Sequence, residues 1–298
     1  RLRWTRWATL PLPSHRFSQY ALRKGINHRR QIPKSELKRS AIHSTSKTPP
    51  ETPEQLSTPK QWTNHHYVPT NPPQRMFLAF GSAILGFLNP ERADLVATLG
   101  ETTGGPALAR LKSKMEETHE GRGILKDKPR INSESVPISD LLKLPNNTFG
   151  YAYAKFMSSH GYSPDERPPV RHIENNELAY VMQRYREVHD FWHVLCGAPT
   201  TVEGEIGQKA FEFLQTGLPM ALLSSAVGPL RLSHEERLRM LSGYLPWAYA
   251  CNTNCTFLMG IRYENYLSED LSDLRQQLGI IPVSEYVAVS DKKHEKIL

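Results

Sequence analysis

Two histidines and an aspartate in one short stretch of the sequence have the spacing of a metal site. His189 and His193 are four residues apart, so in a helix their side chains project from one face, one turn apart. Asp190 lies three residues before His193 and can reach toward the same point. Imidazole and carboxylate groups ligate zinc, iron and manganese alike, so the pattern predicts a divalent metal without fixing which one. The same pattern beside Phe191 and Trp192 would also suit a buried polar patch without a metal.

The fourth predicted ligand is Glu205. Gly197 and Pro199 end the histidine-bearing helix, and Thr200 stands three residues before Glu203, which is the pattern of a capping box. A second helix therefore begins after a short turn. Its first turn carries Glu205 back toward the end of the preceding helix, where the carboxylate can meet the histidines.

Arg186 lies one turn before the histidines on the same predicted face, and it is the candidate catalytic residue. Its guanidinium has three possible roles: to bind an anionic group of a substrate, to hold a liganding carboxylate, or to serve as an ordinary surface cation. Glu203 and Lys209 flank Glu205, and both are predicted to be exposed residues of the second helix.

The elements that must position these residues are mainly helical. The apolar residues between 176 and 196 form one stripe at helical spacing. The fold class is therefore predicted to be all-α, with a single mainly helical domain over residues 67–298. An extended segment is predicted at 279–289, and residues 119–150 are predicted to be irregular. Helices are predicted at 74–88, 91–99, 106–117, 151–158, 176–196, 200–216, 234–243, 246–267 and 270–278.

Basic residues are concentrated at the start of the chain. Residues 1–50 contain 12 Lys or Arg and one acid, Glu36, while the rest of the chain has 25 basic and 29 acidic residues. This composition predicts a mitochondrial transit peptide followed by a proline-rich linker, together spanning residues 1–60. A disordered basic arm is the alternative. Because the remainder is mildly acidic, nucleic acid is not an expected partner.

The cysteines and the apolar segments bear on two questions, whether the chain contains disulfides and how it could contact a membrane. Three cysteines do not make a disulfide framework, and Cys251 and Cys255 are predicted to be buried small apolar residues. The apolar segment from Met76 to Leu88 stops at Asn89 after 13 residues, which is too short to span a bilayer. Any contact with a membrane is therefore expected from its surface.

Several motifs together resemble the coenzyme Q (ubiquinone) biosynthesis protein four family. The family pattern is His-Asp-x-x-His, eleven residues, then Glu, and it is matched here by His189, Asp190, His193 and Glu205. The run 177–193 as a whole, Leu-Gly-Glu-Thr-Thr-Gly at 99–104, Pro-Asn-Asn-Thr-Phe-Gly at 145–150 and Gln-Thr-Gly-Leu-Pro-Met at 215–220 also look like family motifs. The resemblance covers residues 67–278.

This resemblance implies a fold, a site and an activity. It implies an all-helical metal-binding domain with Zn²⁺ as the expected ion. Its expected place is the matrix side of the mitochondrial inner membrane, as a peripheral member of the complex of coenzyme Q biosynthesis proteins. The implied activity is that of a carbon–carbon lyase, the C1 decarboxylation of 4-hydroxy-3-methoxy-5-polyprenylbenzoate coupled to hydroxylation. The polyprenyl tail calls for a lipid-accommodating groove, for which helices 74–88 and 246–267 are the predicted walls. The resemblance does not determine the oligomeric state, and a homodimer is one of the alternatives.

Two other functions fit the same residues. Four protein ligands look like a closed structural set, because catalytic zinc usually keeps three protein ligands and an open position. That count favours a non-catalytic scaffold that binds lipid intermediates and organises the biosynthetic complex. A metal-dependent hydrolase would instead need a general base, for which Glu203 and Glu187 are the candidates.

Overall fold

The computed structural model describes residues 62–89 and 92–286, and within them the elements are helices joined by turns, loops and short 3-10 or π segments. This confirms the predicted all-α fold. The predicted transit peptide and linker at 1–60 lie outside the described residues. The helices are α1 Pro72–Leu88, α2 Ala93–Thr103, α3 Gly105–Glu116, α4 His119–Asp127, α5 Ile138–Leu141, α6 Phe149–His160, α7 Asn176–Cys196, α8 Val202–Thr216, α9 Pro219–Val227, α10 His234–Arg239, α11 Leu245–Asn254 and α12 Leu271–Leu278.

Helix α7 is the centre of the core. The Asn175 side chain caps its first turn by accepting from two backbone N–H groups, and Gly197 ends it in the left-handed conformation with a φ of 61°. Nearly every residue from Ala179 to Cys196 is buried, and α3 and α6 pack against the helix. A helix that is buried on all sides must pair its polar groups internally. The polar residues of α7 are therefore held in fixed positions by partners from other elements.

Helix α8 follows α7 after a tight turn, as predicted, but its N-cap lies one residue later than predicted. Its N-cap is Thr201, whose hydroxyl accepts from the backbone N–H of Gly204. The predicted cap, Thr200, instead contacts the ring of His160. α8 packs against α9 and α11, so the helix that carries Glu205 is buried between α7 and these later elements.

Two glycines lie within helices at places where the prediction ended a helix or placed irregular structure. Helix α2 continues through Gly100, where a Cβ would come within 2.4 Å of Met220 Sδ, so the glycine permits close packing. In the region predicted to be irregular, α4 is capped by Thr118 and contains Gly121, whose Cβ would meet a backbone oxygen at 2.2 Å. At both positions the close contact leaves no room for a Cβ, so glycine there permits packing and does not end a helix.

The other differences lie toward the end of the chain. The predicted helix 246–267 stops at Asn254, because Cys255 turns to extended dihedral angles, and short 3-10 turns follow. Helix α9, which begins with Pro219, was missing from the prediction. The predicted extended segment at 279–289 is wrong where it is described, since 283–286 are helical.

Helix α1 packs against α2 and leaves an apolar face exposed. Phe77 is 77% exposed, the largest value along this face. No helix in the described ranges is both long and apolar enough to cross a bilayer. The exposed apolar side chains of α1 are Met76, Phe77, Phe80, Ile84, Leu85, Phe87 and Leu88.

Candidate metal centre

Three of the predicted ligands converge on one point. The Nε2 atoms of His189 and His193 are 3.2 Å apart. Glu205 Oε1 lies 3.2 Å from Nε2 of His193, and Oε2 lies 3.9 Å from Nε2 of His189. All three ligand atoms fall within 4.8 Å of one another. Helix spacing supplies the two histidines and the tight turn before α8 supplies the carboxylate, as the sequence predicts.

Hydrogen bonds on the far side of each imidazole fix its orientation. Nδ1 of His189 donates to Glu212 Oε1 at 2.6 Å, and Nδ1 of His193 donates to the carbonyl of Ala198 at 3.1 Å. Each neutral ring then has its lone pair on Nε2, so two lone pairs and a carboxylate point into the same small space. A proton or a cation is needed between them. Histidines that ligate metals are usually held in this way, by an outer carboxylate or carbonyl.

The spacing fits a divalent ion. Four ligand atoms placed tetrahedrally at about 2.1 Å from an ion stand roughly 3.4 Å from one another. The distances of 3.2 to 3.9 Å among His189, His193 and Glu205 bracket this value. Three protein ligands would occupy three corners around such an ion and leave the fourth open, an arrangement typical of catalytic rather than structural zinc.

Glu212 supports the centre from behind, and the sequence analysis did not identify it. It is completely buried on α8, two turns after Glu205, where it accepts from His189, from Lys209 Nζ at 2.8 Å and from the hydroxyl of Tyr185. Burial alone would raise the pKa of Glu212, yet the charges of Lys209 and His189 hold it well below its usual range. The spacing of seven residues from Glu205 on one helix is the signal that could have revealed it.

The ligands have protonation states that suit a metal. Burial raises the pKa of Glu205, but the hydrogen bond from His193 and the nearby positive charges lower it further, to about 2. Burial and the charge of Lys209 lower the pKa of His189. Burial also lowers the pKa of His193, but its bond to Glu205 raises it by more. An ion entering the centre would therefore meet an ionised carboxylate, and it would compete with protons for the histidine nitrogens.

Asp190 lies outside the group of converging ligand atoms. It is buried on α7, and its Oδ2 accepts a short hydrogen bond from Nη2 of Arg167, which comes from the loop before α7. Nothing in the sequence indicated the contact between Asp190 and Arg167, which is 23 residues away. The structure thus assigns Asp190 an ion pair at the edge of the centre, and its place as a fourth ligand stays a prediction.

Arg186 is not directed at the ligands. Its Nη2 donates to Glu101 Oε1 at 2.6 Å and to the carbonyl of Ala97, while Nη1 donates to the carbonyl of Pro168. Both members of the Arg186–Glu101 pair are buried. The guanidinium is therefore engaged by α2 and by the loop before α7, and these contacts favour a structural role over the predicted catalytic one.

Lys209 and Glu203, predicted to be exposed, and Glu187, considered as a general base, all form ion pairs. Lys209 is largely buried and bonded to Glu212, contrary to the prediction of an exposed residue. Glu203 pairs with Arg239 and is largely buried as well. Glu187 is buried and accepts from Arg130 and from the backbone of Ile131. Neither glutamate is free to activate water, so the geometry offers no support for a hydrolase.

Comparison with known proteins identifies the family of the chain. The family model for the coenzyme Q (ubiquinone) biosynthesis protein Coq4 matches residues 64–284. The ubiquinone biosynthesis protein COQ4, mitochondrial, of Laccaria bicolor is 42% identical over 72% of this chain and 72% of its own length. The homologue named mitochondrial in Rattus norvegicus is 38% identical over 94% of this chain and 98% of its own length.

A solved structure agrees with the fold. A crystal structure from Nostoc punctiforme PCC 73102 superposes with a TM-score of 0.55, covering 67% of this chain and 96% of that chain, at 20% sequence identity. An identity this low supports the shared fold alone. The family model and the relatives carry the assignment further, because they span the helices that build the metal centre. The chain belongs to the coenzyme Q (ubiquinone) biosynthesis protein Coq4 family and has a role in ubiquinone biosynthesis.

Proposed function

We propose that the chain catalyses the C1 decarboxylation of 4-hydroxy-3-methoxy-5-polyprenylbenzoate, coupled to hydroxylation at the same carbon. The observation that carries the proposal is the convergence of three potential ligands, His189, His193 and Glu205, within 4.8 Å of one another. A divalent ion held there by His189, His193 and Glu205, with Zn²⁺ as the expected ion, would supply Lewis-acid polarisation of a substrate oxygen.

The residues of this chain would prepare the site for that chemistry. Glu212 fixes the tautomer of His189, and Ala198 does the same for His193. His193 is buried and His189 largely so, whereas the Glu205 side chain is 38% exposed, so a substrate could approach the site from the side of Glu205. The phenol oxygen para to the carboxylate can donate electrons to C1, so that C1 accepts a proton and carbon dioxide leaves. In the coupled reaction C1 bonds to oxygen in place of that proton, and a two-electron oxidant is required as co-substrate. With dioxygen the acid, dioxygen and water would give the 1,4-hydroquinone, carbon dioxide and hydrogen peroxide.

A non-catalytic scaffold is the alternative function. Its main support was the expected set of four protein ligands, which would close the site. With three ligands in the group and Asp190 paired to Arg167, that support is reduced. A scaffold would retain its role without an open coordination position, and the decarboxylation assay separates the two functions.

Replacing His193 by alanine should abolish both metal binding and carbon dioxide release. The substitution removes one ligand and the hydrogen bond to Glu205, and metal sites with two remaining protein ligands bind zinc weakly. The measurement is metal content by mass spectrometry together with carbon dioxide release from the prenylated substrate. The control is His119→Ala, which alters an exposed histidine on α4 and should retain both. A His193→Ala protein with full metal content and activity would overturn the proposal.

For location, we propose peripheral attachment to the matrix face of the mitochondrial inner membrane, within the complex of coenzyme Q biosynthesis proteins. The relatives are named mitochondrial, and the exposed apolar face of α1 supports contact with lipid. At its edge the Arg231 guanidinium lies 5.0 Å above the ring of Phe87, where a cation could meet anionic headgroups. The polyprenylated precursor would then enter from the bilayer.

Replacing Phe77 and Phe80 together by serine should weaken binding to vesicles of phosphatidylcholine and phosphatidylglycerol at least tenfold. Each exposed phenylalanine contributes about 1.5 to 3 kcal/mol when it leaves water. Cosedimentation measures the effect. The control is Leu142→Ser, which removes an exposed leucine on another element and should leave binding unchanged. Equal binding by the double variant and the wild type would exclude α1 as the contact.

A further inference from the structure

The guanidinium of Arg167 lies at the edge of the metal centre with donors to spare. Within the described residues its hydrogen bond is the one from Nη2 to Asp190. The side chain is 30% exposed, whereas Asp190 is 5% exposed. It also interacts electrostatically with the ligand Glu205 and with Tyr153. A guanidinium has five N–H donors arranged to match a carboxylate, and here most of them remain open to a ligand.

The loop that carries Arg167 is fixed on both sides. Before it, Asp165 accepts from the backbone N–H of Ser133 at 2.9 Å. After it, the carbonyl of Pro168 accepts from Nη1 of Arg186 at 3.0 Å. Asp190 holds the guanidinium itself from α7. Arg167 is thus preorganised, so a ligand would bind without first ordering a long flexible side chain.

Other arginines near the site have no such capacity. Arg184 is completely buried and bonds both oxygens of Glu264. Arg186 is buried against Glu101 and two carbonyls. Arginines whose donors are engaged in this way stabilise the fold. The partial exposure and the unused donors therefore distinguish Arg167 as a residue that can bind a ligand.

The charges around the centre favour an anionic ligand. Glu205, Asp190 and Glu212 are balanced in part by Lys209 and Arg167. With a divalent ion in place, the group would have one net positive charge. A ligand with one carboxylate would neutralise it, whereas a neutral ligand would leave a charge in a largely buried site at a cost in free energy.

We infer that Arg167 binds the carboxylate of an aromatic acid substrate, forming an anion site beside the open position of the metal centre, and that Asp190 orients it. This inference rests on the proposed function, since it names the residue that would recognise the leaving carboxylate. It also assigns Arg186 a positioning role, because that residue holds the carbonyl next to Arg167. The residue proposed to bind the substrate is therefore Arg167, in the loop before α7. It is not Arg186, which the sequence suggested.

The test is calorimetric titration of the metal-loaded full chain with 3-prenylbenzoate and with 3-prenylbenzamide. The benzoate lacks the para hydroxyl that promotes loss of carbon dioxide, and the amide has the same shape without the charge. Arg167→Gln should weaken binding of the benzoate by ten- to a hundredfold and binding of the amide by less than threefold. Arg167→Lys keeps the charge beside Asp190, so it should fold normally and show a smaller loss. Equal benzoate affinity in wild type and both variants would overturn the inference.

A matched control is available in Arg262. Its side chain is also 30% exposed and also pairs with an aspartate, Asp127, on the protein surface. Arg262→Gln should leave both affinities within threefold of wild type. Repeating the titrations on metal-free protein should preserve the selective loss in Arg167→Gln, because the residue acts on the ligand directly. Failure of the wild type to release carbon dioxide would count against the proposed function and leave this binding result intact.

Discussion

Replacing Glu212 by glutamine should lower the metal affinity of the centre by ten- to a hundredfold. The substitution keeps the size of the side chain but removes the negative charge that holds Nδ1 of His189. Outer carboxylates of this kind orient the imidazole and increase its strength as a ligand, and their loss typically has an effect of this size. The measurement is competition with a chromophoric chelator for Zn²⁺.

Glu203→Gln is the control for this experiment. Glu203 lies on the same helix and also forms an ion pair, with Arg239, but it does not contact the histidines. Its variant should bind metal like the wild type. The account would be contradicted if Glu212→Gln bound metal as tightly as the control, because His189 would then not depend on Glu212 for its orientation.

Replacing Arg186 by methionine should lower the free energy of unfolding by about 3 to 5 kcal/mol. The change leaves the Glu101 charge buried without its partner, and it removes the donors to the carbonyls of Ala97 and Pro168. Since a whole domain is stable by about 5 to 15 kcal/mol, a large share of the stability would be lost. Urea denaturation followed by circular dichroism measures the free energy of unfolding of the variant and the wild type.

The same variant separates a structural role from the catalytic role that the sequence suggested for Arg186. At a temperature where the variant is folded, it should keep its metal content. Weaker substrate binding through the loop of Arg167 is expected, with turnover at saturation largely retained. An Arg186→Met protein that bound substrate normally but released no carbon dioxide would show direct participation in the reaction. The control, Arg262→Met, removes an exposed ion pair and should cost about 1 kcal/mol or less.

The sequence predicted the convergence of the three candidate ligands where local spacing determines the geometry. His189 and His193 share a face because a helix has fixed periodicity, and Glu205 follows because the connecting turn is short. The outer residues were not predictable in the same way. Arg167 reaches Asp190 from a loop, and the contact between Arg186 and Glu101 joins residues far apart in the chain. Such pairs depend on tertiary packing, which periodicity does not encode.

The limits of the fold prediction have a similar origin. Long helices with clear caps were predicted well, as for α7 between Asn175 and Gly197. The prediction was wrong near Gly100 and Gly121, because tertiary packing requires a glycine inside a helix at each position. The lipid-accommodating groove stays a prediction, and one of its expected walls is shorter than predicted because α11 ends at Asn254.

The most direct measurement of the central claim is single-turnover release of labelled carbon dioxide during a metal titration. The substrate would be 4-hydroxy-3-methoxy-5-prenylbenzoate labelled in its carboxylate, with dioxygen supplied, and the protein would be stripped of metal and then loaded with increasing Zn²⁺. The account predicts that release rises with metal until about one ion per chain is bound, and that Glu205→Gln protein shows no such rise. Release that is independent of metal, or no release from fully loaded wild-type protein, would contradict it.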